Sequence, residues 1–153
     1  MGFIYQINTS KGGVPKLPVL GADVRFEGIL GDKQKDKRYH GGVERAICLF
    51  SLEVILNLKK AGHSIYPGST GENFTISFEN YHLLIPGTII KIGSEVVLQI
   101  ASFAVPCKTI KGSFKDELFT CISQKLFPGQ SRVYARVMKE GIVNVGDSIE
   151  IIL

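Results

Sequence analysis

The sequence predicts a mainly β protein built as a single closed or partly open β-barrel with two or three short helices. Three observations point there. Seventeen glycines punctuate the 153 residues, and the runs between them are short and rich in β-branched and aromatic residues. Gly93-Ser94 between two apolar runs is a two-residue hairpin signal. The stretches Gly87-Thr88-Ile89-Ile90-Lys91-Ile92 and Gly146-Asp147-Ser148-Ile149-Glu150-Ile151 echo one another, each a turn feeding a strand.

Strands are expected over Phe3 to Asn8, Asp23 to Phe26, Ala46 to Phe50, Asn73 to Ser77, Thr88 to Ile92, Glu95 to Ala104, Val133 to Met138 and Ser148 to Ile152. Two helices interrupt them. Ser51 is placed to cap the first, Glu53 suits its first turn, and Leu52, Ile55 and Leu56 make an apolar stripe before Lys59-Lys60 and the stop at Gly62. The second is expected over Lys115 to Leu126, with Leu118, Phe119, Ile122 and Leu126 facing the core and Pro128-Gly129 beyond its end. Both are read as lids or plugs on the barrel.

At this length residues 1–153 are expected to form one domain that buries roughly two thirds of its unfolded surface. No run of about 20 apolar residues and no signal-peptide pattern is present, so a soluble cytoplasmic protein is expected. The net charge of +4 invites a nucleic-acid reading. Much of the excess is local, however: Lys33, Lys35, Lys37 and Arg38 share one short segment with Asp32 and Asp36, whereas a nucleic-acid face spreads its cations along a helix or sheet. Neither nucleic acid nor membrane is expected as a partner.

Three cysteines without close pairing argue against a disulfide framework, and no Cys-x-x-Cys is present to hold zinc. Cys48, inside Arg45-Ala46-Ile47-Cys48-Leu49-Phe50, and Cys121, in the second expected helix, read as core. Cys107 is different. It follows Pro106 and precedes Lys108 at the end of an apolar strand, where the neighbouring ammonium favours the thiolate that acts as ligand or nucleophile.

Gly28-Ile29-Leu30-Gly31-Asp32 leads into the basic segment and then His40-Gly41-Gly42, with Arg45 following. Glycines admit close backbone approach and the cations can meet phosphate or carboxylate oxygens, which is the chemistry of an anion cradle. No Walker or Gly-x-Gly-x-x-Gly pattern accompanies it. Gly71-Glu72-Asn73 then offers a carboxylate and an amide at the start of a strand.

Taken in order, Gly31-Asp32, His40-Gly41-Gly42, Arg45, Gly71-Glu72-Asn73, Pro106-Cys107 and Tyr134-Ala135-Arg136-Val137 through Glu140-Gly141 to Val145-Gly146-Asp147 resemble the MOSC domain, named for the C-terminal part of molybdenum-cofactor sulfurases. The resemblance covers about residues 20 to 153 and is nearest to small stand-alone bacterial members. It implies a barrel related to the pyruvate-kinase barrel domain and a cavity in which Cys107 supplies a thiolate to the molybdenum of a pyranopterin dithiolene cofactor. By position it implies that His40 and Asn73 act with Cys107 in catalysis, and that Asp32, Arg45, Glu72, Lys108 and Arg132 bind the cofactor. It further implies reduction of a small N-hydroxylated substrate with electrons from an external donor protein. Neither the N-terminal β-barrel domain of the mitochondrial amidoxime reductases nor the C-terminal helical extension of some bacterial relatives is expected from these residues.

Other chemistries are compatible with the same residues. Cys107 could serve a cofactor or sulfur carrier without turnover, or pair with His40 in a metal-free thiol enzyme.

Overall fold

The computed structural model describes residues 1–33 and 42–152. Among these, eleven strands and one α-helix are present: β1 (Gly2–Thr9), β2 (Leu17–Val19), β3 (Gly21–Arg25), β4 (Gly28–Ile29), β5 (Ile47–Ser51), α1 (Leu52–Lys60), β6 (Phe74–Phe78), β7 (Ile89–Ile92), β8 (Val96–Phe103), β9 (Val133–Lys139), β10 (Gly141–Asn144) and β11 (Ser148–Ile151). Seven of the strands close on themselves. The order β11-β7-β8-β9-β5-β6-β1 returns to its start because Gly2 and Phe3 of β1 pair with Ile149 and Ser148 of β11. Only β5 and β6 run parallel in this ring, joined by a crossover through α1. β2 extends β1 outside the ring, and β3, β4 and β10 form a small second sheet.

Closure removes the open edges a sheet would otherwise expose and turns one face of every strand inward. Each barrel strand accordingly contributes a side chain with no exposed surface, namely Ile4, Leu49, Phe74, Ile90, Leu98, Ala135 and Ile149. The two echoing stretches become neighbours, since β7 and β11 pair antiparallel with Ile90 opposite Ile151 and Ile92 opposite Ile149.

The eight expected strands are all present with ends shifted by one or two residues. β2, β4 and β10 are additional; they are short or carry little apolar alternation, so they form through pairing with neighbours instead of from local preference. The β7–β8 hairpin closes through Gly93-Ser94-Glu95, a residue longer than the expected turn, with Gly93 in the left-handed region (φ 63°) and Ile92 opposite Val96.

α1 forms as its sequence dictates. The Ser51 hydroxyl accepts from the Val54 amide at 3.1 Å, and Leu52, Ile55 and Leu58 are buried, whereas Leu56 of the expected stripe is exposed. The second expected helix does not form. Lys108–Ser113, Lys115–Glu117 and Phe119–Ile122 are successive 3-10 turns, and Asp116 and Glu117 take left-handed backbone angles (φ 55° and 57°) that end any α-helical run. Of the expected apolar face only Ile122 is fully buried, Phe119 packs partly against the core, and Leu118 and Leu126 are exposed. Without the helix Cys121 is only partly buried, not the core residue its periodicity implied.

Gly68 is the glycine on which the barrel end turns. Its φ is +90°, and a Cβ there would stand 2.5 Å from the Lys16 carbonyl oxygen. That carbonyl belongs to the residue whose own amide donates to the Gly68 carbonyl at 2.9 Å, so neither chain can retreat without losing the bond. Gly68→Ala is expected to destabilise the protein by about 2–4 kcal/mol, from left-handed strain plus the clash. Urea unfolding measures it, and an unchanged midpoint would show that the two chains part more easily than this packing implies.

Candidate functional site at one end of the barrel

Five strand termini meet at one end of the barrel. The Asn8 amide at the end of β1 donates to the Asn73 carbonyl ahead of β6 (2.7 Å), the Asn73 amide donates to the Cys48 carbonyl on β5 (2.8 Å), and the Ala104 amide after β8 donates to the Arg132 carbonyl ahead of β9 (2.9 Å). These bonds place the expected site segments side by side.

Asp32 is the hub of this end. Its carboxylate takes both contacts of the Lys16 ammonium (2.6 and 2.8 Å), the Ser10 amide (2.9 Å) and the Asn73 side-chain amide (2.9 Å), with only 2% of its side chain exposed. Asn73 passes the order on, since its Oδ1 accepts the Cys48 amide at 3.0 Å. Glu72, fully buried, accepts from the Gly68 amide, the Thr70 hydroxyl and the Thr75 hydroxyl at 2.8 to 3.0 Å. The carboxylate and amide expected at the start of this strand are both buried, and hydrogen bonds replace the water they lose.

Burial raises the Glu72 carboxyl above its ordinary value of 4.5, against the opposing effect of its hydrogen bonds. It also pushes the Cys48 thiol up to about 12. Cys48 is therefore an inert core thiol, as expected from its apolar run.

Cys107 stands apart from this core. It is partly exposed, caps the 3-10 turn Lys108–Ser113 whose Ile110 is buried, and its Sγ lies 2.7 Å from the Thr109 hydroxyl. Lys108 is exposed beside it. Arg132 is 6% exposed; one terminal nitrogen donates to the Thr70 carbonyl at 2.8 Å, while its buried Nε has no partner. No carboxylate forms an ion pair with it among the described residues.

Tyr134 ties these groups together and was not singled out by the sequence as a site residue. It lies opposite Cys48 on β5 and Ser102 on β8, and the Arg45 guanidinium sits 5.5 Å from its ring centre. Burial pushes its phenol up to about 12, with Cys48 and Cys107 acting the same way and Arg132 and Arg45 opposing. Its position on β9 between the inward Val133 and Ala135 was the available signal, since a phenol there reaches the rim only once the neighbours of β9 are known. His40, together with Lys35, Lys37 and Arg38, lies outside the described residues.

Two clefts flank the site. One, of about 210 Å³, lies between Tyr81, Phe103 and Pro128 and does not include Cys107 or Arg132. The other, of about 270 Å³, is walled by Thr109, whose hydroxyl touches the Cys107 sulfur. No group of three or more His, Cys, Asp and Glu side chains among the described residues could by itself hold a metal.

A family model described as the MOSC domain matches residues 36–150. The chain belongs to the MOSC domain family. Among curated proteins, the uncharacterized protein YflK of Bacillus subtilis is 26% identical over 151 residues, covering 97% of this chain and 66% of its own length. A protein of Gibberella moniliformis named as a reductase is 26% identical over 129 residues, covering 82% of this chain but 22% of its own. The chain thus spans less than two thirds of the curated relatives it matches. Solved structures share the MOSC fold: YiiM from Geobacillus stearothermophilus matches with a TM-score of 0.78 at 23% identity, over 100% of this chain and 76% of that one. The YuaD protein of Bacillus subtilis matches with a TM-score of 0.77 at 20% identity, over 99% and 96% of the two chains. The mainly β barrel with short helices is therefore the fold of this MOSC domain. No helix among the described residues is long and apolar enough to cross a membrane.

Two predictions follow from the geometry. Iodoacetamide at pH 8 is expected to modify Cys107 first, Cys121 more slowly and Cys48 last, because burial raises the Cys121 and Cys48 thiols. Peptide mass mapping of the time course gives the order, and early labelling of Cys48 would contradict it. The second concerns Glu72, whose raised carboxyl leaves the folded protein holding a proton that the unfolded chain releases near 4.5. Its contribution to stability is present in full below that pH and is lost as pH rises toward the folded value. The melting temperature of wild type minus that of Glu72→Gln should fall from pH 4 to pH 7, other titrations cancelling in the difference. A flat difference would mean that Glu72 ionises normally in the fold.

Proposed function

We propose that this MOSC domain binds a molybdenum pyranopterin cofactor at the Cys107 end of the barrel and reduces small N-hydroxylated substrates there. The observation that carries the reading is Arg132, a buried guanidinium with an unpartnered Nε and no carboxylate paired with it among the described residues. An unpaired cation is costly to bury, so the site calls for an anion, and the phosphate of such a cofactor fits that demand. Cys107 adds a partly exposed thiol, the soft donor such a metal takes.

When bound, the cofactor supplies a metal centre able to take the oxygen of an N–O bond, and the overall change is R–NH–OH + 2 e⁻ + 2 H⁺ → R–NH₂ + H₂O. The two electrons are assigned to an external donor protein. Cys107 would ligate the metal, and Thr109 fixes its sulfur through the 2.7 Å contact. Arg132 would hold the phosphate from within, with Arg45 and the exposed Lys108 completing its charge at the rim. Tyr134 stays protonated across the neutral range, so its hydroxyl keeps a proton that can be donated in a hydrogen bond. Asp32, Glu72 and Asn73 act as positioning residues, their polar atoms already committed to Lys16, Ser10, Gly68, Thr70, Thr75 and Cys48.

The test is metal and pterin analysis of protein expressed in a host that makes the cofactor, paired with turnover of 6-hydroxylaminopurine under a reduced viologen dye. Wild type should carry near-stoichiometric molybdenum, and Cys107→Ser should lose at least about tenfold of it at unchanged melting temperature, since one atom at a half-exposed site opens no cavity. Equal metal in the two proteins would remove Cys107 from the ligand role. Retained cofactor without turnover would leave a carrier in place of a reductase.

A further inference from the structure

Tyr81 is a buried phenol that the proposed chemistry leaves unused. It opens the 3-10 turn Tyr81–Leu83 after β6, and only 7% of it is exposed. Its hydroxyl has a single proton and two carbonyl oxygens within reach, that of Ser131 at 2.6 Å and that of Leu49 at 3.3 Å. The nearer carbonyl takes the proton, because a hydrogen bond weakens with length. Burial holds the phenol well above its ordinary range, so it stays a donor at neutral pH.

The bond falls where the barrel ladder stops. β5 and β9 pair as far as Leu49 opposite Val133, and Ser131 precedes that pair on the chain entering β9. Tyr81 therefore bridges the two chains at the point where their own pairing ends. The carbonyl it holds belongs to the peptide that leads into Arg132. The peptide that leaves Arg132 is held as well, since its carbonyl accepts from the Ala104 amide at 2.9 Å and from the Ser131 hydroxyl at 2.7 Å. With both peptides fixed, the direction in which the Arg132 side chain leaves the backbone is set.

That direction decides where the guanidinium sits. One terminal nitrogen is anchored on the Thr70 carbonyl at 2.8 Å, and the buried Nε is left without a partner. A rotation of the peptide ahead of Arg132 is amplified along so long a side chain, and a binding group must be held within about 0.5 Å of its working position. Resting on the reading of Arg132 as the anion site, we propose that Tyr81 is the positioning residue of that site: by holding the Ser131 carbonyl, its hydroxyl aims the Arg132 Nε at an oxygen of the bound phosphate. Tyr81 acts through Arg132 and not by contact with the anion.

The cofactor-free chain can be titrated with inorganic phosphate while the Arg132 Nε–H resonance, assigned by its loss in Arg132→Gln, is followed by NMR. Phosphate should shift this resonance saturably in wild type. Tyr81→Phe keeps the ring and removes only the hydroxyl; it should displace the free resonance and weaken phosphate binding roughly fivefold. Ser131→Ala, which frees the Arg132 carbonyl from its nearest donor, should weaken binding by a similar factor and serves where Tyr81→Phe does not fold. In an Arg132→Gln background Tyr81→Phe should bring no further weakening, which is the mark of a residue acting through the arginine. A phenol that only fills the core would lower the urea midpoint and leave the phosphate affinity of the folded protein unchanged. Equal affinity in wild type and both variants, the same loss in the Arg132→Gln background, or a wild-type resonance that phosphate does not move would each overturn the assignment. Failure of the cofactor reading shows separately, as missing molybdenum in a protein whose Arg132 Nε–H still answers phosphate and does so through Tyr81.

Discussion

The barrel end depends on one buried carboxylate. Asp32 binds Lys16, Ser10 and Asn73, and through Asn73 it reaches the Cys48 amide, so one side chain ties together segments scattered from residue 10 to residue 73. A buried charge of this kind is tolerable only when paired and fully hydrogen-bonded; removing one partner of such a pair costs about 3–5 kcal/mol because the other stays in the low-dielectric interior unpaired. The network therefore behaves as a unit. Its geometry fixes where the chain enters β6 and, through the Cys48 amide, the stretch of β5 opposite Tyr134.

Against that satisfied network, the incomplete groups stand out. Glu72 has every polar atom engaged and Lys16 is matched to Asp32, yet Arg132, equally buried, leaves Nε without a partner. The thiols divide in the same way: Cys48 is pushed up to about 12 by the interior, and Cys107 sits at the surface against a hydroxyl. Among the described residues, Arg132 Nε is the buried side-chain polar atom the fold leaves without a partner, and it marks where binding capacity remains.

Much of the architecture was legible from local pattern. Alternation and β-branching located the seven barrel strands and β3, and the Ser51 cap and Gly62 stop framed α1, because these signals act within a few residues. The second helix was misread because its apolar spacing is helical while Asp116 and Glu117 take left-handed angles that no periodicity reveals. Neighbouring chain decided that stretch: Ser64 bonds the Gly112 carbonyl and the His63 ring accepts the Lys115 amide, both from the loop after α1. The short strands β2, β4 and β10 escaped for the related reason that pairing partners, not composition, make them strands.

For the site, the sequence by itself determined the residue types and the order of motifs that mark a MOSC domain, along with the distinction between Cys107, beside proline and lysine, and the apolar setting of Cys48. Those are properties of neighbours along the chain. Only the tertiary structure decided which side chains are spent within the fold and which are left open to a ligand: that Asp32, Glu72 and Asn73 are committed inward, that Arg132 keeps an unpartnered nitrogen, that Tyr134 lies under Arg45, and that Thr109 touches the Cys107 sulfur. The physical reason is that burial and hydrogen-bond satisfaction are sums over groups brought together from distant parts of the chain, and barrel closure sets those sums.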